Sequence, residues 1–196
     1  MNRAFRLVTL ISVGLLFLAL PACHRTPINP DVRLQQGLAA QRAGDLDGAA
    51  AAYEDVLDVR PNDKYALYNL GVIAQGDGVT QLAEGYYRSA LDADPNFEPA
   101  LFNLAIIRTS VGATQEAVDL YRRLIAVAPK NANAHFNLGI LLQRAGKDQE
   151  ATAEFNVAIK IDPSLAGRLV TNPILPGSGT NGGASATGTP SATVTP

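Results

Sequence analysis

Few side chains in this sequence could support catalysis or metal binding. Cys23 is the only cysteine, and His24 and His135 are the only two histidines. A lone thiol cannot close an internal disulfide. No Cys, Asp or second His sits at ligand spacing from His135. The run GVIAQGDG at 71–78 invites reading as a phosphate loop, but the Lys-Ser/Thr that would hold phosphate and metal does not follow it. No nucleophile, base and orienting group can be assembled, so no enzyme, cofactor or metal is expected. What remains is an amide. ALYNLG at 66–71, ALFNLA at 100–105 and AHFNLG at 134–139 present Asn69, Asn103 and Asn137 in one setting. Each offers both a donor and an acceptor, as a peptide backbone does.

Cys23 has a different context. Arg3 and Arg6 precede an uncharged run from Leu7 to Leu20, which Pro21 ends. That run is shorter than the roughly 20 apolar residues of a membrane span, and it reads as an export signal over residues 1–22. The following LPAC resembles the lipobox of a bacterial lipoprotein: Leu20, Ala22 and Cys23 match, and Pro21 is a less usual occupant. The resemblance implies cleavage before Cys23 and lipidation of its thiol; the alternative is an ordinary signal peptide with a spare thiol. Two or three acyl chains hold firmly where one holds marginally. Loss of Arg3 and Arg6 would take the net charge from −2 to −4. His24 replaces the Asp that favours inner-membrane retention in similar lipoproteins. The expected location is therefore the bacterial envelope, at the outer membrane where two membranes exist. Residues 23–29 would form the lipidated Cys and a tether, of which 24–29 reach about 20 Å at most.

The elements that must position the asparagines are set by a repeat. Proline recurs at 61, 95, 129 and 163, alanine at 49, 83, 117 and 151, and glycine at 44, 78, 112 and 146, always 34 residues apart. An aromatic does the same at Tyr53, Tyr87, Tyr121 and Phe155. Within each interval, apolar residues step by three and four (Leu67, Leu70, Gly71, Ala74), a glycine breaks the pattern, and a second such stretch runs to the proline. Each unit is thus a helix, a tight turn and a helix. Thr80, Thr114 and Asp148 are expected to cap the second helices.

These columns resemble the tetratricopeptide repeat, with small residues at places 8, 20 and 27, an aromatic at 24 and Pro at 32. Units then span 30–63, 64–97, 98–131 and 132–163. Gly37, Gly71, Ala105 and Gly139 match place 8; Val56 and Leu124 depart from the pattern at place 27, and the family's Trp at place 4 is replaced by Arg33, Leu67, Leu101 and His135. The resemblance implies an all-α, right-handed α-solenoid of four helix-turn-helix repeats, closed by a short capping helix at 164–171. Residues 172–196 contain no charge and consist mainly of Gly, Ser, Thr, Ala and Pro, the composition of a disordered tail. A glycosylated or wall-threading segment is the alternative for them.

In such a solenoid the first helices line the inner wall. Helical stepping turns places 4, 7, 8 and 11 towards the second helix and places 2, 5, 6, 9, 12 and 13 into a groove. Place 5 carries Tyr68, Phe102 and Phe136, place 6 the three asparagines, place 9 Val72, Ile106 and Ile140, and place 13 includes Arg144. The groove is expected to hold a peptide, with the amides along its backbone and the apolar row in its side-chain pockets; the alternative is pure packing between repeats. Leu34 and Leu38 stand where a carboxylate clamp would put Lys and Asn, which disfavours chaperone-tail binding. With 16 basic and 18 acidic residues there is no basic surplus for a nucleic acid. The expectation is a lipid-anchored adaptor for another envelope protein, such as an assembly factor for a pilus, secretion or outer-membrane complex. Its rival is a structural or self-associating element whose groove is filled by another copy or by its own tail. The oligomeric state is not legible.

Overall fold

The computed structural model describes residues 29–171. The signal segment, Cys23, most of the tether and the segment 172–196 lie outside the described residues. Eight helices alternate in length: α1 (Pro30–Arg42), α2 (Leu46–Val59), α3 (Lys64–Gly76), α4 (Thr80–Ala93), α5 (Glu98–Ser110), α6 (Thr114–Val127), α7 (Ala132–Arg144) and α8 (Asp148–Ile161). A 3-10 turn (Pro163–Leu165) leads into α9 (Ala166–Thr171). This is the all-α solenoid of four helix-turn-helix repeats, with a C-terminal capping helix, that the sequence implied. No described helix is long and apolar enough to cross a membrane.

Local chemistry sets the two kinds of turn. Gly44, Gly78, Gly112 and Gly146 have φ between 72° and 81°, the left-handed region that only glycine enters cheaply. That conformation lets the next residue's N–H reach back to the helix: Val79 donates to Ala74 O at 2.9 Å and Ala113 to Arg108 O at 2.9 Å. These are the six-to-one bonds of a Schellman ending. Two of the reverse connections end on side-chain caps, Asp63 accepting from the Tyr65 and Ala66 N–H groups and Asn131 from Ala134, whereas Phe97 opens α5 without one.

One expectation fails here. Thr80, Thr114 and Asp148 are not N-caps; Val79, Ala113 and Lys147 hold that position without a side-chain bond. The tight glycine turn starts each of these helices one residue earlier than the composition suggests. Thr114 consequently sits at the first helical position, where its hydroxyl donates back to Gly112 O at 3.4 Å.

Packing follows the columns. Ala49, Ala83, Ala117 and Ala151 are buried, as are Tyr53, Tyr87, Tyr121 and Phe155. A Cβ built on Gly37, Gly71 or Gly139 would lie 2.6 Å from the ring of Tyr53, Tyr87 or Phe155 in the same repeat. Glycine therefore lets the ring lie flat on the first helix. Each such ring, removed from water, contributes about 1.5–3 kcal/mol. α9 begins at Ala166, 34 residues after Ala132 opens α7. It takes the place of a fifth inner helix, with Leu169 packed against the main core.

Candidate functional site: the inner wall

The inner wall is built by α1, α3, α5 and α7, and the structure divides the expected groove residues into two sets. Tyr68, Asn103 and Phe136 are buried, at 8%, 7% and 3% exposure. Asn69, Val72, Phe102, Ile106, Asn137 and Ile140 are half-buried and Arg144 is exposed. The place-5 rings lie on the aromatic of the second helix: Tyr68 on Tyr87 at 5.8 Å, Phe102 on Tyr121 at 6.3 Å, Phe136 on Phe155 at 5.5 Å between centroids. Tyr68 also meets Phe97 edge-on at 5.6 Å. These contacts are worth about 0.5–1.5 kcal/mol each beyond their area, so this row supports the wall as well as facing it.

Asn103 and Asn137 have a structural duty, on the side of the packing alternative, through bonds that helical stepping does not reveal. Asn103 Nδ2 donates to Tyr87 Oη at 3.2 Å and to Tyr68 Oη at 3.4 Å. Asn137 Nδ2 donates to Tyr121 Oη at 3.2 Å. All three bonds join one repeat to the next. The phenols pass the chain on: Tyr87 donates to Gln75 Oε1 at 2.7 Å, as Tyr53 does to Gln41 Oε1. Asn69 breaks the pattern, donating to Tyr65 O of its own helix at 2.8 Å. The signal was present in the sequence: Tyr53, Tyr87 and Tyr121 are buried phenols that need partners, whereas Phe155 needs none.

Burial pushes the phenols of Tyr53 and Tyr121 up to about 12, and raises those of Tyr87 and Tyr68 as well. The hydrogen bonds from Asn137 and Thr109 oppose this at Tyr121, and the one from Asn103 opposes it at Tyr87 and Tyr68. The rings stay neutral and bonded through the physiological range. No protein donor reaches Oδ1 of Asn69, Asn103 or Asn137 among the described residues.

His135 is buried, with Nδ1 at 2.6 Å from Glu154 Oε2 and Nε2 at 3.1 Å from Pro129 O. It ties α7 to α8 and to the preceding turn. Among the described residues no group of three metal-ligating side chains stands together.

A charged cluster between the second and third repeats was also missed. Arg88 pairs with Glu84 at 2.9 Å and Glu116 at 2.6 Å, and Arg108 lies 3.1 Å from Glu84. Arg108 Nε is 2.7 Å from Glu116 Oε2, an ionic contact off the N–H axis. The bond from Arg88 holds the Glu116 carboxyl below its usual range. Arg108 stands where the other inner helices have Ala40, Ala74 and Leu142, and a charge in a packing row calls for partners. A recess beside this cluster, lined by Leu91, Pro95, Leu104 and Leu120, opens between α4 and α6 on the opposite face from the groove.

Comparison with known proteins agrees with this geometry. The family model for the tetratricopeptide repeat matches residues 34–96 and 102–166. The chain is similar to the crystal structure of MamA, at 20% identity and a TM-score of 0.64, covering 72% of this chain and 83% of that one. It is also similar to MamA 41-end from Desulfovibrio magneticus RS-1, at 21% identity and a TM-score of 0.59, over 69% and 77% of the two chains. A tetratricopeptide repeat protein from Parabacteroides merdae ATCC 43184 shares 23% identity at a TM-score of 0.61, over 68% of this chain and 54% of its own. These likenesses concern the fold. No curated protein matches the sequence. An array of this kind is a scaffold for contacts between proteins. With both matched segments falling on the helix pairs described above, the chain belongs to the tetratricopeptide repeat family.

Proposed function

We propose that this protein is an adaptor, anchored to a bacterial membrane through lipidated Cys23, that recruits an extended or helical segment of another envelope protein to its inner wall. The observation that carries the reading is the chemistry of that wall. Val72, Phe102, Ile106 and Ile140 leave apolar surface half open, next to asparagine oxygens that no donor among the described residues reaches. Backbone N–H groups of a bound segment would satisfy those oxygens while its side chains cover the apolar row. The amide nitrogens of Asn103 and Asn137 are committed to tyrosines, so the amides offer acceptors rather than complete donor-acceptor pairs. Assembly of a pilus, secretion or outer-membrane complex is the kind of task this reading assigns.

The test is capture from native membranes by the full chain and by a Val72→Glu, Ile140→Glu variant. Both positions are half-buried, so circular dichroism accompanies the capture. Loss of a discrete captured protein with helicity intact supports the reading, and equal capture by both chains contradicts it.

A further inference from the structure

Four rows of the inner wall carry no charge. Places 5, 6, 9 and 12 hold Leu, Tyr and Phe, then Gln and Asn, then Leu, Val and Ile, then Gln and Thr. The chain as a whole is 17% charged, so these neutral rows, of which all but the buried Tyr68, Asn103 and Phe136 are exposed or half-buried, set a demand on the occupant. Charge enters the groove only beside these rows, as Asp31 at place 2 and Arg42 and Arg144 at place 13, so a charged segment would lose hydration along the rows themselves at a cost of several kcal/mol per unpaired ion.

The chain itself contains a segment that meets this demand. Residues 172–196 are 25 consecutive positions with no charged side chain, opening with Ile174 and Leu175 between Pro173 and Pro176. They leave the described structure from the inner row, because α9 stands in register as a fifth inner helix and ends at Thr171. The Arg168 guanidinium fixes this end of the wall, lying 4.5 Å over the ring of Phe136. Inner helices are about 10 Å apart, so four of them extend about 30 Å. A 25-residue segment can extend to roughly 80 Å. Attachment at the mouth of the groove gives it an effective concentration on the order of millimolar.

We propose that residues 172–196 occupy the inner wall of their own chain, with Ile174 and Leu175 against the half-buried apolar row at Ile106 and Ile140. An incoming partner must displace them. This rests on the inner wall being the binding face, and it adds an internal competitor that sets the affinity threshold for any partner.

The experiment uses the full chain with Cys23→Ser and Ser178→Cys, a nitroxide on the new cysteine and labelled methyl groups. Selective paramagnetic broadening of the Ile106 and Ile140 methyls, with Ala51 and Ala126 on the second helices unaffected, is expected. Adding Ile174→Asp and Leu175→Asp should restore the intensities. Uniform or absent broadening would overturn the proposal. So would broadening that appears only when nitroxide-bearing and methyl-labelled chains are mixed, since the occupant would then be a second copy's segment. Absent broadening with partner capture intact removes the internal competitor and leaves the adaptor reading standing; selective broadening without any capture does the reverse.

Discussion

Asn137 Nδ2 donates to Tyr121 Oη at 3.2 Å across the joint between the third and fourth repeats. Asn103 makes the same bond to Tyr87 one repeat earlier. The recurring asparagine is thus a fastener between repeats, and only its oxygen is left to meet a partner.

That division of labour predicts unequal effects along one column. Asn103→Ala removes the donor shared by two buried phenols and should cost about 1–3 kcal/mol. Asn69→Ala, whose amide bonds only to Tyr65 O on its own helix, should change stability by about 0.5 kcal/mol or less. Urea unfolding of the two variants checks this, and a double-mutant cycle of Asn103→Ala with Tyr87→Phe should show coupling. Equal costs at the two asparagines would contradict the fastener.

Gly71 faces the ring of Tyr87 with no room for a Cβ. Gly71→Val should destabilise by about 1–3 kcal/mol through overpacking. Gly71→Ala should cost far less, because a gain of about 1 kcal/mol in helix propensity offsets the clash. The third repeat already accommodates Ala105 at the same place beneath Tyr121. Thermal unfolding should rank the three chains wild type, Ala, Val, or place wild type and Ala level.

The tyrosines predict an alkaline limit. An unfolded phenol titrates near 10, whereas burial holds those of Tyr53 and Tyr121 up to about 12. Between these values the folded state keeps protons that the unfolded state has lost, so stability is complete below about pH 10 and falls as pH rises. The slope is up to about 1.4 kcal/mol per pH unit for each such ring. Urea midpoints at pH 8 and pH 11 measure it, and Tyr121→Phe should flatten the dependence.

Anchoring is separately testable. Cys23→Ser should move the protein from the membrane fraction to the soluble fraction, because the acyl chains supply the hold. An unchanged membrane fraction would remove the lipid anchor from the account.

The fold was legible because the 34-residue columns are packing requirements: a glycine beneath a ring, an alanine between helices, a glycine at a left-handed turn. Such constraints write themselves into residue type. The site was less legible, because helical stepping reports direction and not depth. It put Tyr68, Asn103 and Phe136 in the groove, yet all three are buried. The bonds from Asn103 and Asn137 to the tyrosines join residues 16 apart in sequence, a separation that no helical period reveals. The Arg88, Arg108, Glu84 and Glu116 cluster likewise joins three helices. The second-helix caps were misplaced by one residue because the turn glycine, and not the capping side chain, decides where those helices start.

The central claim is that the inner wall, and not the outer one, meets the partner. Site-specific photocrosslinking in native membranes addresses it directly, with the reactive residue at Val72, Ile106 or Ile140 on the inner helices and at Ser89 or Asp119 on the outer ones. The account predicts one discrete protein adduct from the inner positions only. Adducts from the outer positions alone, or the same adducts from both faces, would contradict it.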